Sequence, residues 1–433
     1  MKRATICLLL TIIAISTMAQ ERYVPAAENL KNRQEFADSK LGIFFHWGLY
    51  SMYGHGEWAM QMEKINAQEY AKGMGAFYPA KFDAAQWVAA VKAAGARYIT
   101  VTSRHHEGFS MWDTQCSDYG IMHTPFHRDV IRELADECHR QGISLHLYYS
   151  HLDWTRDDYP IGRTGRFTGR DSTKADWPHY YRFMNAQLTE LLTRYGQVGA
   201  IWFDGHWDHD EDSVPFEWQL PEQYALIHSL QPGCLVANNH HLTAKEGEDF
   251  QIFERDVPGE NTAGYSGNIN IGRLPLETCQ TMNDSWGYDV RDTNYKSANE
   301  LIQLLVRTAG KGANLLLNVS PQPDGTLPQP ALERLQAIGK WLQANGGTIY
   351  GTTAGEVALG DTAVSTRKGQ HLYLHILKDS ITELQFPLSA KVKAITAFGS
   401  TAKVPFKQRN GQVTLTLPQG QATPDRILDF LIR

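Results

Sequence analysis

The hydrophobic pattern of the chain alternates short apolar runs with longer segments that are apolar on one side only. The runs that we interpret as strands cover residues 41–46, 96–102, 143–150, 198–204, 234–239, 250–254, 277–282 and 313–319. The segments that we interpret as helices cover residues 83–94, 130–141, 180–195, 221–230, 298–309 and 331–345. Strands that are apolar on both faces and alternate with helices are typical of parallel βα units. The pattern therefore predicts an α/β fold, a (β/α)8 barrel.

An open, doubly wound parallel sheet is the alternative. Such a sheet normally carries a glycine-rich phosphate-binding loop after its first strand. This chain has Phe-His-Trp-Gly at residues 45–48 instead, which favours the barrel.

The pattern changes after Gly347. Residues 370–377 alternate apolar and polar positions, and short apolar segments follow at 381–388, 392–398 and 413–417. The dipeptide Asn410-Gly411 is a strong hairpin signal, because both residues accept a positive φ. We therefore expect a catalytic domain over residues 20–347 and a small antiparallel β-sandwich over residues 348–433.

The first 19 residues are typical of a signal peptide. Lys2 and Arg3 precede an apolar run, and small residues surround Ala19. The run is shorter than the roughly 20 apolar residues that a membrane-spanning helix needs, and no later segment is apolar enough to span. We expect cleavage after Ala19 and an exported protein, periplasmic or extracellular.

Composition narrows the choice of partner. Loss of Lys2 and Arg3 with the leader takes the formal net charge from −6 to −8, whereas a nucleic-acid partner demands a basic surface. The chain has 11 Trp and 19 Tyr, whose flat faces suit the C–H faces of sugars as well as ordinary cores. We therefore expect no nucleic-acid partner and a bias towards carbohydrate.

The cysteines that remain after the leader are far apart in the chain and form no Cys-x-x-Cys pair. They are Cys116, Cys138, Cys234 and Cys279. Their spacing argues against a structural zinc site. One or two disulfides and isolated buried thiols are both consistent with it.

The strand at 198–204 ends in an acid, Asp204, followed by glycine. A buried unpaired carboxylate is costly, so Asp204 is paired, neutral or functional. A loop-capping role and a catalytic role are both open at this point. Other predicted strands also end in polar or aromatic residues, namely His46, His105, His106, Tyr148, His240 and Glu254. Strand ends meet at one mouth of a barrel, which is where barrel enzymes place their active sites.

Two chemistries fit such a mouth. The segment 206–212 (His-Trp-Asp-His-Asp-Glu-Asp) resembles a set of metal ligands, but there is no His-Glu-x-x-His motif, and a solvated acidic loop is the simpler interpretation. The second chemistry is glycoside hydrolysis by two carboxylates, one that attacks and one that protonates the leaving oxygen. Asp204 and Glu254 end different strands and suit these roles. Histidines would then donate hydrogen bonds to sugar hydroxyls, and Trp58 and Trp202 would stack on the sugar.

Several ordered motifs resemble those of the α-L-fucosidases of glycoside hydrolase family 29, in particular exported bacterial members. These motifs are Leu-Gly-Ile-Phe-Phe-His-Trp-Gly at 41–48, Gly-Glu-Trp at 56–58, Arg-His-His-Glu-Gly-Phe at 104–109, Trp-Phe-Asp-Gly at 202–205, Trp-Gly-Tyr at 286–288 and Gly-Ala-Asn-Leu-Leu-Leu-Asn-Val-Ser-Pro at 312–321. The resemblance runs from about residue 25 to residue 350, and the C-terminal β module also suits the family. Arg104 stands where many members have lysine, which keeps the charge but changes its shape.

The resemblance implies a role for each site residue. Asp204 matches the nucleophile of a retaining mechanism. The residues that the resemblance or their strand-end positions assign to substrate binding are His46, Glu57, Trp58, His105, His106, Tyr148, Trp202, His240 and Trp286. Phe44 and Trp286 would give the methyl group of a 6-deoxy sugar an apolar seat. The family implies no cofactor and no metal.

The acid/base residue is less sharply defined by sequence. Glu254 matches an Asp-x-x-x-x-Glu pattern that follows the nucleophile strand, and Glu277 is its rival. The resemblance predicts a retaining exo-α-L-fucosidase acting on fucosylated oligosaccharides or glycoconjugates. A fucose-binding protein without catalysis and a related α-L-galactosidase are the alternatives. The oligomeric state is left open.

Overall fold

The predicted barrel is confirmed by a computed structural model, which describes residues 23–417 and 424–433. The predicted leader, residues 1–19, lies outside the described residues. All eight barrel strands are parallel. They are β1 (Leu41–Phe45), β2 (Tyr98–Arg104), β3 (Ser144–Ser150), β4 (Ala200–Asp204), β5 (Leu235–Asn238), β6 (Gln251–Glu254), β7 (Leu276–Thr281) and β8 (Ala313–Val319). Their order is β5-β4-β3-β2-β1-β8-β7-β6.

The barrel closes between β5 and β6, the two ends of this order. The contact is made through Asp249, just before β6. Its backbone N–H donates to the Val236 carbonyl at 2.7 Å, and its carboxylate accepts from the Val236 N–H, also at 2.7 Å. Arg33 holds the same carboxylate at 2.5 Å. A side chain therefore takes part in the ladder where the strands are short.

Nine α-helices accompany the barrel within the described part of the chain. They are α1 (Ala27–Ser39), α2 (Ala59–Met62), α3 (Ala67–Ala71), α4 (Ala84–Ala93), α5 (Val130–Gln141), α6 (Trp177–Arg194), α7 (Leu220–Leu230), α8 (Ala298–Gly310) and α9 (Gln329–Asn345). The described segments that link β5 to β6 and β6 to β7 contain no α-helix. These two links are long loops at the mouth, and Glu254 lies between them.

The helix α5 shows how the sequence specifies the outer layer. Asp129 caps its first turn by accepting from the Arg132 N–H at 2.8 Å. Gly142 ends it with a φ of 72°, a conformation that glycine adopts without strain. Between these ends, Ile131, Leu134 and Cys138 are buried against the strands.

The helix α1 was not predicted from sequence. It buries only Asn29 and Phe36, so it lacks the apolar stripe that identifies an amphipathic helix. The Phe36 ring packs against Tyr98 and Phe250 at centroid distances of 5.4 and 4.4 Å. Since both partners lie at the N-terminal ends of strands, α1 closes the bottom of the barrel, opposite the mouth.

The C-terminal region forms two antiparallel sheets, as predicted. Its strands are β9 (Thr353–Ala358), β10 (Ala363–Lys368), β11 (His371–Ile376), β12 (Glu383–Pro387), β13 (Val392–Ala397), β14 (Phe406–Arg409), β15 (Gln412–Thr416) and β16 (Arg426–Ile432). The sheet orders are β13-β16-β11-β10-β9 and β12-β15-β14. Asn410 and Gly411 turn between β14 and β15 with φ values of 50° and 73°, as the hairpin signal predicts.

Two further expectations can be compared with the described residues. No described helix is long and apolar enough to cross a membrane. Cys116, Cys138, Cys234 and Cys279 are all free thiols, so the disulfide alternative is wrong for these four residues.

Candidate active site

The barrel mouth contains a pocket of about 380 Å³. Its lining brings together most of the residues predicted from sequence. The predicted residues that line it are Phe44, His46, Glu57, Trp58, His105, His106, Tyr148, Trp202, Asp204, Glu254 and Trp286. Arg163, Trp207, Asn239, His241, Arg255, Tyr265 and Cys279 complete it. Glu277 and His240 are absent from the lining.

Asp204 is fixed by donors on both of its carboxylate oxygens. The Tyr148 hydroxyl donates to Oδ2 at 2.9 Å, and the Trp207 indole N–H donates to Oδ1 at 3.1 Å. The Gly205 N–H, at the sharp turn after β4, also donates to Oδ1, at 2.8 Å. Burial and the neighbouring Glu254 raise the pKa of Asp204 to about 6, and these hydrogen bonds oppose the rise. Asp204 is therefore ionised at neutral pH and held in one orientation.

His106 faces Asp204 with a defined ring nitrogen. Its Nδ1 lies 2.7 Å from Ser150 Oγ, whose hydroxyl hydrogen is already donated to the Leu152 carbonyl at 2.7 Å. His106 Nδ1 must therefore carry the hydrogen, which leaves Nε2 as an acceptor 3.6 Å from Asp204 Oδ2. Burial keeps the pKa of His106 well below its ordinary value, so the ring is neutral.

His46 is held in the same tautomer. Its Nδ1 donates to Asn318 Oδ1 at 2.7 Å, because the Asn318 amide hydrogens are directed to the Trp286 carbonyl at 2.8 Å and to Ser320. Burial lowers the pKa of His46 to about 3. In this tautomer the Nε2 atoms of His46 and His106 are acceptors, whereas the sequence analysis expects these histidines to donate to sugar hydroxyls.

Arg104 lies behind the two histidines and does not line the pocket. Its guanidinium contacts the carboxylate of Asp153 and donates to the Ser150 carbonyl at 3.2 Å. The side chain is fully buried. Since Ser150 orients His106, the arginine stabilises the strand end that positions the imidazole.

One wall of the pocket is built from aromatic rings that pack against one another. Trp202 stacks on Tyr148 at a centroid distance of 5.5 Å, and Phe44 meets the Trp202 ring edge-on at 5.3 Å. Trp286 adds a fourth ring beside His46, at 5.2 Å. The His105 ring stacks on Tyr148 at 5.4 Å, and its Nδ1 has no partner among the described residues.

Glu277 lies beneath this wall and does not reach the pocket. It is fully buried and accepts from the Tyr98 hydroxyl at 2.6 Å and from the Trp202 indole N–H at 2.9 Å. Burial raises its pKa to about 7, against the effect of these two hydrogen bonds. The alternative assignment of Glu277 as the acid/base residue is therefore wrong, because its position on β7 directs the side chain inside the barrel, below Trp202.

Glu254 ends β6 and faces the pocket. One oxygen, Oε2, accepts from Asn239 Nδ2 at 2.8 Å and from His241 Nε2 at 2.9 Å. Burial favours the neutral carboxyl, but His241, Asn239 and Arg255 together lower the pKa of Glu254. No described residue donates to Oε1.

The prediction that His240 binds substrate is wrong, because His240 does not line the pocket. Its Nε2 lies 2.9 Å from Glu248 Oε1, and the side chain is buried away from the pocket. The next residue, His241, enters the pocket in its place because its backbone adopts a left-handed φ of 59°. Nothing in the apolar pattern marks this turn.

Glu57 and Trp58 reach the pocket from the loop before α2. Glu57 Oε2 accepts from the Gly287 N–H at 2.7 Å, and burial raises its pKa. Trp58 stacks on Trp207 at 5.7 Å. Trp207 was missed by sequence reasoning, although it lies three residues after Asp204.

The acidic segment 206–212 is only partly solvated, contrary to expectation. Residues 206–209 are buried, and Asp208 accepts from Tyr159 at 2.9 Å and from Thr164 Oγ1 at 2.6 Å. Among the described residues, no group of three or more His, Cys, Asp or Glu side chains is placed to hold a metal ion.

Carboxylates from two strands, neutral imidazoles and an aromatic wall meet in a pocket of monosaccharide size at the mouth of a (β/α)8 barrel. This combination defines a glycoside hydrolase. The α-L-fucosidase family model matches residues 10–347, which is most of the chain. The protein belongs to the α-L-fucosidase family.

Relatives and solved structures agree with this assignment. Plasma α-L-fucosidase of Homo sapiens is 31% identical over 363 residues, covering 76% of this chain and 72% of that protein. The α-L-fucosidase of Branchiostoma floridae is 29% identical over 95% of both chains. α-L-Fucosidase isoenzyme 1 of Paenibacillus thiaminolyticus superposes with a TM-score of 0.82 at 31% identity, over 94% of this chain and 100% of that one. A trapped covalent intermediate of a Bacteroides thetaiotaomicron α-L-fucosidase with 2-fluoro-fucosyl fluoride superposes with a TM-score of 0.79 at 25% identity, over 93% of this chain and 96% of that one.

Proposed function

We propose that this protein is a retaining exo-α-L-fucosidase in which Asp204 is the nucleophile and Glu254 is the general acid/base. The observation that carries the proposal is the contrast between the two carboxylates. Asp204 is held by donors on both oxygens. Such a fixed orientation suits a group that must attack along one direction. Glu254 is held through one oxygen only, which leaves Oε1 available to a leaving group. The covalent intermediate trapped in the Bacteroides thetaiotaomicron enzyme supports the same two-step route.

In the first step, a carboxylate oxygen of Asp204 attacks the anomeric carbon of fucose. The bond from that carbon to the glycosidic oxygen breaks, and its electron pair stays on the oxygen, which takes the proton from Glu254 Oε1. The products are a fucosyl ester of Asp204, a free alcohol and a Glu254 carboxylate.

In the second step, water attacks the anomeric carbon from the side that the alcohol has left. Glu254 takes a proton from the water, and the ester bond to Asp204 breaks with its electron pair returning to the carboxylate. Two inversions give net retention of configuration. Both carboxyl groups return to their starting states.

The lining of the pocket supports a preference for fucose. The rings of Phe44, Trp202 and Trp286 form an apolar surface that suits a methyl group at carbon 6. An α-L-galactoside adds one hydroxyl there, and apolar pockets reject such a change by only about 100-fold. We therefore propose weak side activity on α-L-galactosides, and fucosylated oligosaccharides or glycoconjugates as the natural substrate class.

The proposed roles predict different effects for the two carboxylates. Asp204→Ala should lose at least about 10⁴-fold in kcat on every fucoside, because nucleophile variants in comparable systems lose this much or more. Glu254→Ala should lose roughly 10²–10⁴-fold on a fucosyl disaccharide, the usual range for general acid catalysis. It should lose far less on 2-chloro-4-nitrophenyl α-L-fucoside, whose leaving group needs no proton.

Added azide provides the decisive measurement. It should restore turnover of the aryl fucoside by Asp204→Ala with formation of the β-fucosyl azide, and by Glu254→Ala with formation of the α-azide. Release of α-fucose by the unmodified enzyme, followed by NMR, tests retention. Wild-type turnover by Asp204→Ala would contradict the mechanism. Tight fucose binding without any turnover by the unmodified enzyme would favour the binding-protein alternative.

We also propose that the protein is a bacterial enzyme exported by its first 19 residues. The charged start and the short apolar run support this. Mass spectrometry of the protein recovered from the periplasm or the medium should show Gln20 as the first residue. A cytoplasmic protein that retains Met1 would contradict the proposal.

A further inference from the structure

We propose that His241 is the positioning residue of the proton donor: it holds Glu254 through one oxygen so that the other oxygen faces the leaving group. This inference rests on the proposed role of Glu254. His241 lies outside the motifs that carry the family resemblance, and its neighbour His240 occupies the position that the strand pattern favours.

The contacts of Glu254 are strongly one-sided. His241 Nε2 and Asn239 Nδ2 approach the same atom, Oε2, at 2.9 and 2.8 Å. Two donors on one oxygen fix the plane of the carboxyl group and leave Oε1 as the atom that carries or releases the proton. The Asn239 amide alone would hold Oε2 but could not supply a charge.

His241 is itself held in place by backbone and ring contacts. Its φ of 59° lies in the left-handed region, which few non-glycine residues adopt without a compensating contact. Its ring stacks on Tyr265 at a centroid distance of 4.9 Å and an interplanar angle of 23°. The side chain of His241 is 19% exposed and that of Glu254 is 15% exposed. The pair therefore lies where the pocket opens towards the leaving group.

The charges around the pair favour a shared proton. Burial opposes protonation of His241, but Glu254, Asp204 and Asp210 raise its pKa above the ordinary value. The other titratable groups that act on Glu254 or line the pocket beside it are Glu57, His46, Arg255, Tyr265 and Cys279. A pair that interacts this closely releases one proton at a pH that belongs to both groups.

The pair serves the reaction as follows. With the proton on Glu254 Oε1 and neutral His241 protonated on Nε2, the imidazole N–H still donates to Oε2. When the glycosidic oxygen takes the Oε1 proton, Glu254 becomes a carboxylate, and the same N–H stabilises the new negative charge. His241 thus makes a stronger hydrogen bond after proton transfer than before it.

The test compares His241→Phe, His241→Gln and the control His228→Phe. Phenylalanine removes the donor but keeps a ring for Tyr265, whereas glutamine keeps an N–H but no charge. His228 is a matched control because its Nε2 also lies near a carboxylate, 3.6 Å from Asp249, at the opposite end of the barrel. Each variant is assayed on 2-chloro-4-nitrophenyl α-L-fucoside and on a fucosyl disaccharide from pH 4 to pH 9. Melting temperature and inhibition by L-fucose report the fold and the sugar pocket.

His241→Phe should lose roughly tenfold or more in kcat on the disaccharide, a part of the 10²–10⁴-fold that general acid catalysis supplies. On the aryl fucoside the loss should stay below about threefold. The alkaline limb of the disaccharide profile should move to higher pH, because His241 lowers the pKa of Glu254 and its removal lets burial keep this carboxyl group protonated to higher pH. His241→Gln should recover part of the rate but keep the shifted limb. His228→Phe should change neither the rate on the disaccharide nor the position of the alkaline limb.

Equal losses on both substrates with an unshifted pH profile would overturn the proposal, since His241 would then only shape the pocket. A His241→Phe variant that matches the unmodified enzyme would overturn it as well. If instead Glu254→Ala shows no dependence on the leaving group, the proposed role of Glu254 fails, and that result is independent of His241. Unchanged inhibition by L-fucose distinguishes all these outcomes from misfolding.

Discussion

At the scale of single residues, the site depends on how buried carboxyl groups are balanced. Burial and Glu254 raise the pKa of Asp204, whereas donors such as Tyr148 lower it. In the proposed mechanism Asp204 must be ionised to attack, so its pKa sets the acid limb of the pH profile of kcat/KM. Removal of one donor should therefore shift this limb in a known direction.

Tyr148→Phe is the direct test of that balance. Loss of the hydroxyl removes a hydrogen bond to the charged form of Asp204, so the pKa of Asp204 should rise and the acid limb should move up by about one pH unit. The measurement is kcat/KM on an aryl fucoside from pH 4 to pH 8. Tyr149→Phe is the matched control, because Tyr149 follows on the same strand but points outward and donates to Gln187 at 2.8 Å. An unmoved acid limb in Tyr148→Phe would contradict this account.

Glu277 makes a separate prediction, for stability. The pKa of Glu277 is about 7 in the folded protein, whereas its ordinary value, which applies to the unfolded chain, is 4.5. Between these two pH values the folded state therefore binds more protons than the unfolded state. Its contribution to stability is complete below pH 4.5 and is lost as the pH rises through 7, amounting to about 3 kcal/mol. Glu277→Gln should flatten the decline of melting temperature over this range.

The same variant separates structure from catalysis at Glu277. Because this glutamate supports Trp202 from below, Glu277→Gln should lower kcat/KM on aryl fucosides and disaccharides by the same factor. A loss confined to disaccharides would restore Glu277 as acid/base residue. An undiminished slope of melting temperature against pH would contradict the stability argument.

At the scale of elements, α1 closes the barrel with a single aromatic side chain. Phe36 is 5% exposed and fills the space between strand starts. Phe36→Ala should cost about 3–5 kcal/mol of stability, the usual range for a buried phenylalanine. The kcat/KM at 25 °C should stay within about twofold, since the pocket is at the other end. Leu30→Ala is the control on the same helix, because Leu30 is 52% exposed. Chemical denaturation of both variants measures the difference, and equal stabilities would contradict the role of Phe36.

The sequence predicts those elements whose burial has a regular period. Each barrel strand was found within a few residues, because strands buried on both faces form continuous apolar runs. The helix α1 was missed since it contributes one large apolar residue. The strands β9, β10, β14 and β16 were missed as well, and the burial of β14 alternates only between half-buried and exposed. These elements depend on tertiary partners rather than on their own pattern.

The site was predictable where side chains end strands and not where loops turn. Asp204, His46 and Glu254 follow from strand ends and family motifs together. His241 and Trp207 lie in short turns after strands, and their directions depend on a positive φ and on a single helical turn. Glu277 remained a rival to Glu254 because a strand residue one layer below the mouth looks the same in sequence as one at the mouth.

At the scale of the whole molecule, the C-terminal sheets cover one side of the barrel. Gln303 on α8 donates to the carbonyls of Leu377 and Pro424 at 2.9 and 2.8 Å, and Arg307 pairs with Asp361 at 3.3 Å. A Cβ on Gly310 would lie 3.0 Å from Val364, so the two parts approach closely at this point.

A chain ending at Gly347 should therefore be less stable than the full chain. We expect its melting temperature to fall by roughly 5 °C or more, since a loss of 1 kcal/mol lowers it by about 2–4 °C in domains of 150–250 residues. Differential scanning fluorimetry of both chains makes the comparison. A truncated chain with an unchanged melting temperature and full activity would show that the sheets are dispensable.

The closure between β5 and β6 gives the two carboxylates that we propose as catalytic, Asp204 and Glu254, different structural support. The strand of Asp204 is paired along both edges, whereas the strand of Glu254 is laddered to β7 on one edge and joined to β5 chiefly through Asp249 on the other. Changes in the loops on either side of Glu254 can therefore alter the leaving-group side while the fucose pocket keeps its shape. For directed evolution of linkage preference, the positions to vary lie within residues 239–250 and 255–275, with Asn239, His241 and Asp249 kept, and β3 and β4 are the strands to leave unchanged.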